Sequence, residues 1–462
     1  MRPSLYSRPE EAPPAVRVGL PRGPVPIDSH PASHPSPHFS RVLHSAWDRP
    51  SLSREKKTRE ALLLIFCDPI PKECLRLWLL TNSEWRQALH WLDTSGLALY
   101  ILDRLEQLDL CSILPTFVLA RLRRNLADNT VRTAALMSEW AAMQRSFQSA
   151  GLSYATLKGF SLWPNSVPRP EFRSQLDFDF LVAENSAPEA RRILEALNYR
   201  LRAIGGRSWE FITNHPGRWS LDDLYKATQH RVVELHLESA TAPDPLLHRL
   251  DHRDFHGLRM PVLCPVDLFL GQALHLYKHI SGQFTRTAHL IEFRRHVIAR
   301  RHDLAFWRQL RALAERNRCK PIALGVVTLF IARLMGDFAP PAFTSWTVDR
   351  VPLPARLWIE TYAHDSALAD APGSKLHLLL QQALDPSAVS AQRSIHQALI
   401  PRRLPIAIAV AHPTEGFVAR ILRNARQLRF VLSRVRFHLV EGLLYLRESR
   451  RFRKSLARVT ES

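Results

Sequence analysis

The sequence predicts an α+β protein, with a mixed β-sheet core flanked by N-terminal and C-terminal α-helical segments. Two observations predict this class. Apolar residues recur every three or four positions before residue 150 and after residue 263, as they do in amphipathic helices. Between these regions, short segments alternate apolar and polar residues in the manner of strands. A chain of 462 residues is too long for one ordinary compact core, so several regions are expected.

Five regions are predicted along the chain. The first 50 residues hold 11 of the 33 prolines and have no periodicity, which predicts a disordered, Pro-rich N-terminus. The boundaries that we expect are a disordered segment at 1–52, an N-terminal helical region at 53–150, the α/β core at 151–262, a helical region packing on the core at 263–336, and a helical, basic C-terminal region at 337–462.

The N-terminal helical region carries its own start and stop signals. The segment "TNSEW" offers a helix N-cap followed by Glu84. The later segment "NTVRTAALMSEWAAMQRSFQSAG" predicts a second amphipathic helix, which Gly151 ends. These signals favour packed helices in this region.

The core region begins where the pattern changes. "LSYATLKG" predicts a short strand that ends at a turn, and "QLDFDFLV" predicts a second strand. "SAPEARRILEALNY" predicts a helix with Ser186 as its N-cap, and "HRVVELHLES" predicts another alternating strand. The stretch at 204–227, rich in Gly, Asn, Pro and Trp, is interpreted as a substrate-side loop or a hairpin.

The C-terminal region is strongly basic. From Pro401 to Ser462 there are 14 Lys/Arg and 4 Asp/Glu, a net charge of +10 out of +20 for the chain. The segment "FVARILRNARQLRFVLSRVRFHLVEGLLYLRESRRFRK" predicts one long amphipathic helix. This helix could dock on the body of the protein, rest on an anionic surface or bind nucleic acid, and the plain alternative is a solvated basic face.

The location of the protein is predicted from what the sequence lacks. Its five cysteines form no C-x-x-C pair and are odd in number, which argues against a disulfide framework or a structural zinc site. No apolar run reaches the roughly 18 residues needed to span a bilayer. The N-terminus has no signal-peptide core. The sequence therefore predicts a soluble cytoplasmic protein without a transmembrane segment.

Two carboxylates lie inside the apolar segment "QLDFDFLV". Residues two apart in a strand point to the same face, so Asp177 and Asp179 are expected about 7 Å apart at the backbone. Buried side by side they would repel each other and lose hydration, and a divalent cation relieves both costs. Glu234 and His236 share a face of the other alternating strand. The pattern predicts a carboxylate metal site across two strands.

Positively charged groups suited to phosphate lie nearby in the sequence. The segment "KGFS" is interpreted as the start of a helix, whose free N–H groups would bind an anion. Gly159 allows close approach of the backbone, and Lys158 adds a point charge. Arg173 is interpreted either as a phosphate clamp or as one half of a surface ion pair.

These residues resemble the pattern of the nucleotidyltransferase superfamily, the polymerase-beta-like fold. More narrowly, the chain is similar to the uncharacterised bacterial nucleotidyltransferase-like proteins. Their shared pattern is a Lys-Gly at a strand end, an Arg, a D-x-D strand, and a later acid two residues before a His. This chain supplies "LKG" at Leu157–Gly159, Arg173, "DFDFLV" at Asp177–Val182 and "ELH" at Glu234–His236. The resemblance covers about residues 152–296.

The resemblance implies Mg²⁺-dependent (or Mn²⁺-dependent) transfer of a nucleoside monophosphate from an NTP to an acceptor. It implies that the nucleotidyl-transfer site consists of catalytic and metal-binding Asp177, Asp179 and Glu234, NTP-binding Lys158, Gly159, Ser161 and Arg173, and substrate-contacting His236. One departure concerns the small hydroxyl residue expected directly after Gly159, because Phe160 stands there and Ser161 follows. The acceptor is left open as a sugar, a protein, a small alcohol or an RNA.

Alternatives remain open at two levels. His236 either contacts substrate or orders Glu234. His275 and His279 have a zinc-capable i, i+4 spacing, but the sequence offers no third ligand, so helix packing or substrate contact is the favoured interpretation. For the whole chain, the alternative to an enzyme is a non-catalytic nucleotide- or RNA-binding protein that uses the same fold and the basic C-terminal helix.

Overall fold

The computed structural model has the predicted α+β architecture, a seven-stranded mixed sheet with helices around it. The residues that it describes are 53–213, 221–227, 231–317, 319–370, 372–385, 399 and 416–461. The N-terminal segment predicted to be disordered, 1–52, lies outside the described residues, as does part of the predicted loop at 204–227.

The elements of the described residues are labelled in chain order. The helices are α1 (Arg54–Leu64), α2 (Asn82–Ser95), α3 (Ala98–Gln107), α4 (Thr116–Ser149), α5 (Ala187–Ala196), α6 (Pro265–Ile280), α7 (Thr287–Ala299), α8 (Leu304–Ala314), α9 (Cys319–Met335), α10 (Pro341–Thr347), α11 (Leu353–Ala367), α12 (His377–Leu384) and α13 (Phe417–Glu461). The strands are β1 (Tyr154–Leu157), β2 (Asp177–Ala183), β3 (Tyr199–Gly205), β4 (Ser208–Thr213), β5 (Val232–Glu238), β6 (Leu250–Phe255) and β7 (Leu258–Leu263).

The sheet has the strand order β3-β4-β5-β2-β1-β7-β6. Strands β2 and β5 pair in parallel, as do β1 and β7, and the other neighbours pair antiparallel. The parallel β2–β5 pair requires a long crossover, which α5 and the β3–β4 hairpin provide. This crossover places the two strands that carry the acidic residues side by side.

The two faces of the sheet differ in polarity. On one face, Phe178 and Phe180 of β2 are buried against Trp140 and Phe147 of α4 and Leu194 of α5. Burial of each such large side chain stabilises the fold by about 1.5–3 kcal/mol. Because strand side chains alternate, residues 177, 179 and 181 of β2 point to the opposite face. There a small apolar cluster leaves room for polar groups; its buried members are Ala155, Leu181, Leu263 and Leu268.

Helix α2 begins at the signal that the sequence predicts. The Thr81 hydroxyl accepts a hydrogen bond from the Glu84 N–H, and the Glu84 carboxylate accepts one from the Thr81 N–H. This reciprocal capping box satisfies two backbone donors that a helix start otherwise leaves without partners. The helix ends at Gly96, whose φ of 78° is left-handed.

The long C-terminal helix α13 contacts the rest of the protein mainly near its end. Its buried residues are Tyr445, Glu448, Phe452 and Ser455, and the Tyr362 hydroxyl of α11 donates to Glu448 at 3.3 Å. Large apolar residues before and beside this contact are exposed: Phe417, Val418, Ile421, Leu422, Leu428, Leu432, Val435, Leu439, Val440, Leu443 and Leu446. Among the described residues, none of the helices combines the length and the apolar character that crossing a membrane requires.

Candidate functional site

The pairing register of β2 and β5 positions the acidic residues of the site. Asp179 stands opposite Glu234 in this parallel pair, and both side chains lie on the polar face of the sheet. One ligand atom from each of Asp179, Glu234 and His236 lies within 4.8 Å of the others. The pairing therefore brings together an acidic and an imidazole group that are 57 residues apart in sequence.

Lys158 contacts this group from the end of β1. Its Nζ lies 2.6 Å from Asp179 Oδ1 and 3.9 Å from Glu234 Oε2. The backbone of Lys158 has φ 47° and ψ −151°, a region that residues with a side chain rarely adopt. Such strain persists only where the surrounding structure imposes it, and it clusters at functional sites. The residue with this strained backbone is the one whose ammonium group contacts the carboxylates.

His236 bridges the two carboxylates. Its Nε2 lies 3.0 Å from Asp179 Oδ1 and 3.5 Å from Glu234 Oε2. The Ser208 hydroxyl of β4 donates a hydrogen bond to Glu234. The imidazole and the hydroxyl thus fix the orientations of both acids, and the imidazole remains about one third exposed.

Asp177 and Asp179 have different ionisation behaviour. Burial opposes the charge of Asp179, but the hydrogen bond from His236 and the ammonium of Lys158 together lower its pKa below the ordinary value. Burial, and then the negative charge of Asp179, raise the pKa of Asp177. Arg173 and Lys158 offset only part of that rise. Asp179 is therefore the more readily ionised acid of the pair.

The "KGFS" segment differs from its prediction as a helix start. Residues Gly159–Leu162 form a four-residue 3-10 turn, which has no α-helical N-terminus for an anion. Ser161 is fully buried, and its hydroxyl donates to the Lys158 carbonyl at 2.7 Å. Ser161 thus holds the strained backbone of Lys158 in place.

Gly159 makes a close contact that a side chain would prevent. Its φ is 41°, and a Cβ there would lie 2.5 Å from Nε2 of Gln175. Gln175 uses that nitrogen to donate to the Asp177 carbonyl at 2.8 Å. Glycine at this position therefore lets the turn after β1 approach the start of β2.

Arg173 lies beside the site but is engaged elsewhere. Its Nε lies 2.9 Å from Glu292 Oε1 of α7, and the Tyr100 hydroxyl donates to the same oxygen at 3.0 Å. This ion pair is buried rather than a surface pair, because the side chains of Arg173 and Glu292 are only 13% and 3% exposed. Arg173 lines a cavity of about 190 Å³ together with Lys158.

The structure adds two cationic groups that the sequence analysis did not identify. Arg132 of α4 is fully buried, and within the described part of the chain its three guanidinium nitrogens have no hydrogen-bond partner. Burial, and then the charges of Arg231 and Arg286, lower its pKa to about 10, against the opposing effects of Glu139 and Asp177. Arg286 donates to the Ser174 hydroxyl at 3.0 Å. A buried guanidinium without a partner is a strong candidate for binding an anion.

A sequence signal for Arg132 exists. It lies three residues after Asn129 and four before Leu136, on the stripe of α4 that also carries Trp140, and all of these are buried. A charged residue on the apolar stripe of an amphipathic helix indicates a functional or paired group. Arg286 carries no such signal, since it precedes α7 in a connecting segment.

The acidic group fits a divalent cation. Asp179 and Glu234 offer the carboxylate oxygens that Mg²⁺ prefers, and they lie close enough to share one ion. Asp177 shares their face of the sheet but is not among the ligand atoms within 4.8 Å. The ammonium of Lys158 occupies the position beside Asp179 that such an ion would take.

Comparison with known proteins gives a family match over part of the chain. A family model described as "Uncharacterised nucleotidyltransferase" matches residues 81–336. Among solved structures, the chain is similar to the crystal structure of an antigenic nucleotidyltransferase-like protein from Paracoccidioides brasiliensis, at 13% sequence identity over 47% of this chain and 96% of that one. The TM-score of that match is 0.26. The comparison with curated proteins gives no match.

Proposed function

The chain belongs to the uncharacterised nucleotidyltransferase family, and on that premise we propose that it transfers a nucleoside monophosphate from an NTP to an acceptor. The transfer would depend on Mg²⁺, with Mn²⁺ as a substitute. The observation that carries this proposal is the pairing of Asp179 with Glu234 on parallel strands, with Lys158 and His236 in contact with both acids.

The proposed roles follow from position and charge. Asp179 and Glu234 would hold the metal ion, and Asp177 would add charge from the same face. When bound, the ion neutralises charge that develops on the transferred phosphate. Glu234, near the edge of the group and about one third exposed, would accept the proton of the acceptor hydroxyl. His236 would keep Asp179 oriented through their hydrogen bond, a positioning role.

Phosphate binding would use cations around the acids. Lys158 would exchange its contact with Asp179 for a phosphate oxygen, which its long side chain permits. Arg132 and Arg286 would supply positive charge near Asp177. Gly159 and Ser161 would act through the backbone of Lys158, and Arg173 through the buried pair with Glu292.

The acceptor is proposed only as a class, a hydroxyl of a sugar, a protein, a small alcohol or an RNA. We also propose a cytoplasmic location, which the five cysteines support because all five are free.

The function is tested by transfer of label. The full chain is incubated with Mg²⁺, a cell extract and each of the four α-labelled NTPs in turn, and the labelled product is separated by class. We expect one NTP to label one class of acceptor. Asp179→Asn and Glu234→Gln are each expected to lower the initial rate at least about 100-fold, since each removes charge needed in the transition state.

The matched control is Asp349→Asn, which makes the same change at a carboxylate that is 77% exposed. Its rate should equal that of the unchanged chain. Undiminished transfer by Asp179→Asn would refute the proposal. Saturable NTP binding by the unchanged chain, without any label transfer, would instead favour the non-catalytic nucleotide-binding alternative.

A second surface supports a separate role for helix α13. The helix exposes eleven large apolar side chains, and its 12 Lys/Arg against 3 Asp/Glu give it a net charge of +9. Arg429 and Arg436 directly follow the exposed Leu428 and Val435. Exposed apolar residues flanked by arginines match an anionic lipid surface better than RNA, which offers phosphates but no apolar layer. We propose that α13 docks on anionic lipid.

Flotation with vesicles tests this docking. The full chain is expected to float with vesicles that contain phosphatidylserine and to stay behind with phosphatidylcholine alone. Leu439→Glu should reduce flotation at least about tenfold because it places a charge in the apolar layer. Leu304→Glu on α8 is the matched control, since Leu439 and Leu304 are both 62% exposed. Failure to float, or flotation that Leu439→Glu leaves unchanged, would refute lipid docking, and salt-dependent RNA binding without flotation would favour the nucleic-acid alternative.

A further inference from the structure

Three histidines meet beside the acidic group, on the helices that follow the sheet. His275 and His279 lie one turn apart on α6, and His289 of α7 faces them. One ring nitrogen from each of the three lies within 4.8 Å of the other two. The third ligand that the i, i+4 pair lacks in sequence is therefore supplied by the packing of α7 on α6.

The spacing of the rings matches a metal centre. In a tetrahedral zinc site with Zn–N bonds of about 2.0–2.1 Å, two ligand nitrogens lie about 3.3 Å apart. The Nε2 atoms of His275 and His279 are 3.2 Å apart. The ring centre of His289 lies 5.2 Å from the ring centre of His275 and 5.0 Å from that of His279. The spacing of the His275 and His279 nitrogens therefore matches that of two ligands of one ion.

A buried ring nitrogen also favours a ligand between these rings. In the described part of the chain, Nδ1 of His289 is buried without a hydrogen-bond partner, which is costly unless a ligand satisfies it. Metal binding uses the lone pair of such an imidazole nitrogen.

We propose that His275, His279 and His289 bind one Zn²⁺ ion and leave a fourth coordination position open. Imidazole ligands select zinc and related transition metals, whereas Mg²⁺ prefers oxygen. His275 and His289 line the cavity of about 190 Å³ that Lys158 and Arg173 also line. The open position faces this cavity, so it accepts water or an anionic group of a small ligand.

Charges near the three histidines act in both directions. Arg286 and Arg173 oppose positive charge at His289. Lys158 opposes positive charge at His275, whereas Asp179 favours it there. Two of these cations are already paired, since Lys158 contacts Asp179 at 2.6 Å and Arg173 contacts Glu292 at 2.9 Å. The paired acids, Asp179 and Glu292, reduce the repulsion that an added dication meets.

The competing explanation is packing of neutral rings. The His275 and His279 nitrogens are close enough for a hydrogen bond, and all three rings meet edge to face or tilted. Packing alone leaves His289 Nδ1 without a partner and gives no affinity for metal. Metal content therefore separates the two explanations, independently of whether the protein transfers nucleotides.

The test uses the full-length protein freed of metal with a chelator. One sample is titrated with Zn²⁺ alone, and a separate sample is titrated with Co²⁺ for its visible absorption. We expect one equivalent of Zn²⁺ to bind tightly and Co²⁺ to give the spectrum of a nitrogen-rich, low-coordinate site. His289→Gln and His279→Gln should each weaken Zn²⁺ binding by more than the roughly 10- to 100-fold that loss of a supporting group costs.

Two further variants make the outcome decisive. His302→Ala removes an exposed histidine after α7 and should bind like the unchanged protein. His236→Ala removes the imidazole from the acidic group and should also keep the zinc equivalent, which distinguishes the two sites. Circular dichroism confirms that each variant is folded. Absence of bound zinc in the unchanged protein, its loss in His236→Ala, or its retention in folded His289→Gln would overturn the proposal.

Discussion

Asp177 and Asp179 are separated by one residue, yet their surroundings act on them in opposite directions. Lys158 and His236 both contact Asp179 and stabilise its charge against the cost of burial. Asp177 is half-buried beside that charge, and its loss of hydration together with the charge of Asp179 raises its pKa. The fold thus keeps one firmly ionised acid and one that is costly to ionise on the same face of β2.

This asymmetry gives a stability prediction for two matched variants. Asp179→Asn leaves the Lys158 ammonium without its closest partner, so we expect the free energy of unfolding to fall by about 2–4 kcal/mol. Breaking a fully buried pair costs about 3–5 kcal/mol, and the loss is smaller here because Lys158 is 31% exposed. Asp177→Asn removes a buried charge that repels Asp179, so it should leave stability unchanged or higher. Urea unfolding at pH 7 measures both.

Equal losses in the two variants would contradict the assigned surroundings. A loss in Asp177→Asn alone would mean that Asp177, and not Asp179, carries the ion pair with Lys158.

At this scale the sequence predicts the strand residues well and the helix residues poorly. Alternation in "DFDFLV" and "VVELHL" is enough to place Asp179 and Glu234 on one face of their strands. His289 and Arg132 come close to the site only because α4 and α7 pack at particular angles. A helix crossing angle depends on the fit of many side chains, which a single chain's periodicity does not specify.

Helix α7 carries an unusual number of polar groups into the interior. Glu292 is 3% exposed and His296 is 1% exposed, and each has a partner. Glu292 accepts from Tyr100 and Arg173, and Nδ1 of His296 lies 2.8 Å from Gln272 Oε1 of α6. These contacts connect α7 to α3, to the segment before β2 and to α6, so one helix orders three neighbours of the site.

The buried His296 predicts a pH dependence of stability. Burial, with the charges of Arg300 and Arg253, lowers its folded-state pKa to about 3, below the ordinary value of roughly 6.5 for the unfolded chain. The unfolded state therefore binds one more proton between these values. The stabilising contribution is fully present above about pH 6.5 and is lost as the pH falls toward 3, with a slope of about 1.4 kcal/mol per pH unit.

His296→Gln removes that titration and keeps a polar group beside Gln272. Between pH 6 and pH 4, the slope of its unfolding free energy against pH should be smaller than that of the unchanged chain by about 1.4 kcal/mol per pH unit. Urea unfolding at each pH measures both slopes. Parallel pH profiles for the variant and the unchanged chain would show that His296 is not buried in its neutral form.

Element boundaries show why part of the fold is predictable. The capping box at Thr81 and Glu84 is a local signal, because its two residues satisfy each other's backbone N–H groups. The turn at Gly159–Leu162 has no local signal of this kind. Its four-residue length follows from the buried Ser161 and the contact with Gln175, both of which depend on the rest of the sheet.

The whole molecule separates an apolar layer from a charged one. Helices α4 and α5 cover one face of the sheet, and the acidic group, Lys158 and the three histidines lie at the other. A net charge of +20 suits the triphosphate substrate that we propose, and the net charge of +9 on α13 forms a second basic surface. Pattern alone predicts the succession of helices and strands, the mixed sheet is implied by the resemblance, and the strand order comes from the structure.

The central claim is that Asp179 and Glu234 hold a divalent cation against an NTP, with Lys158 moved from Asp179 to phosphate. The most direct measurement is the anomalous diffraction of Mn²⁺ in crystals grown with a non-hydrolysable NTP analogue. The account predicts an ion at a bonding distance of about 2.0–2.2 Å from both carboxylates, with Lys158 against the nucleotide. A nucleotide bound elsewhere, with Lys158 still in contact with Asp179 and no ion between the two acids, would contradict it.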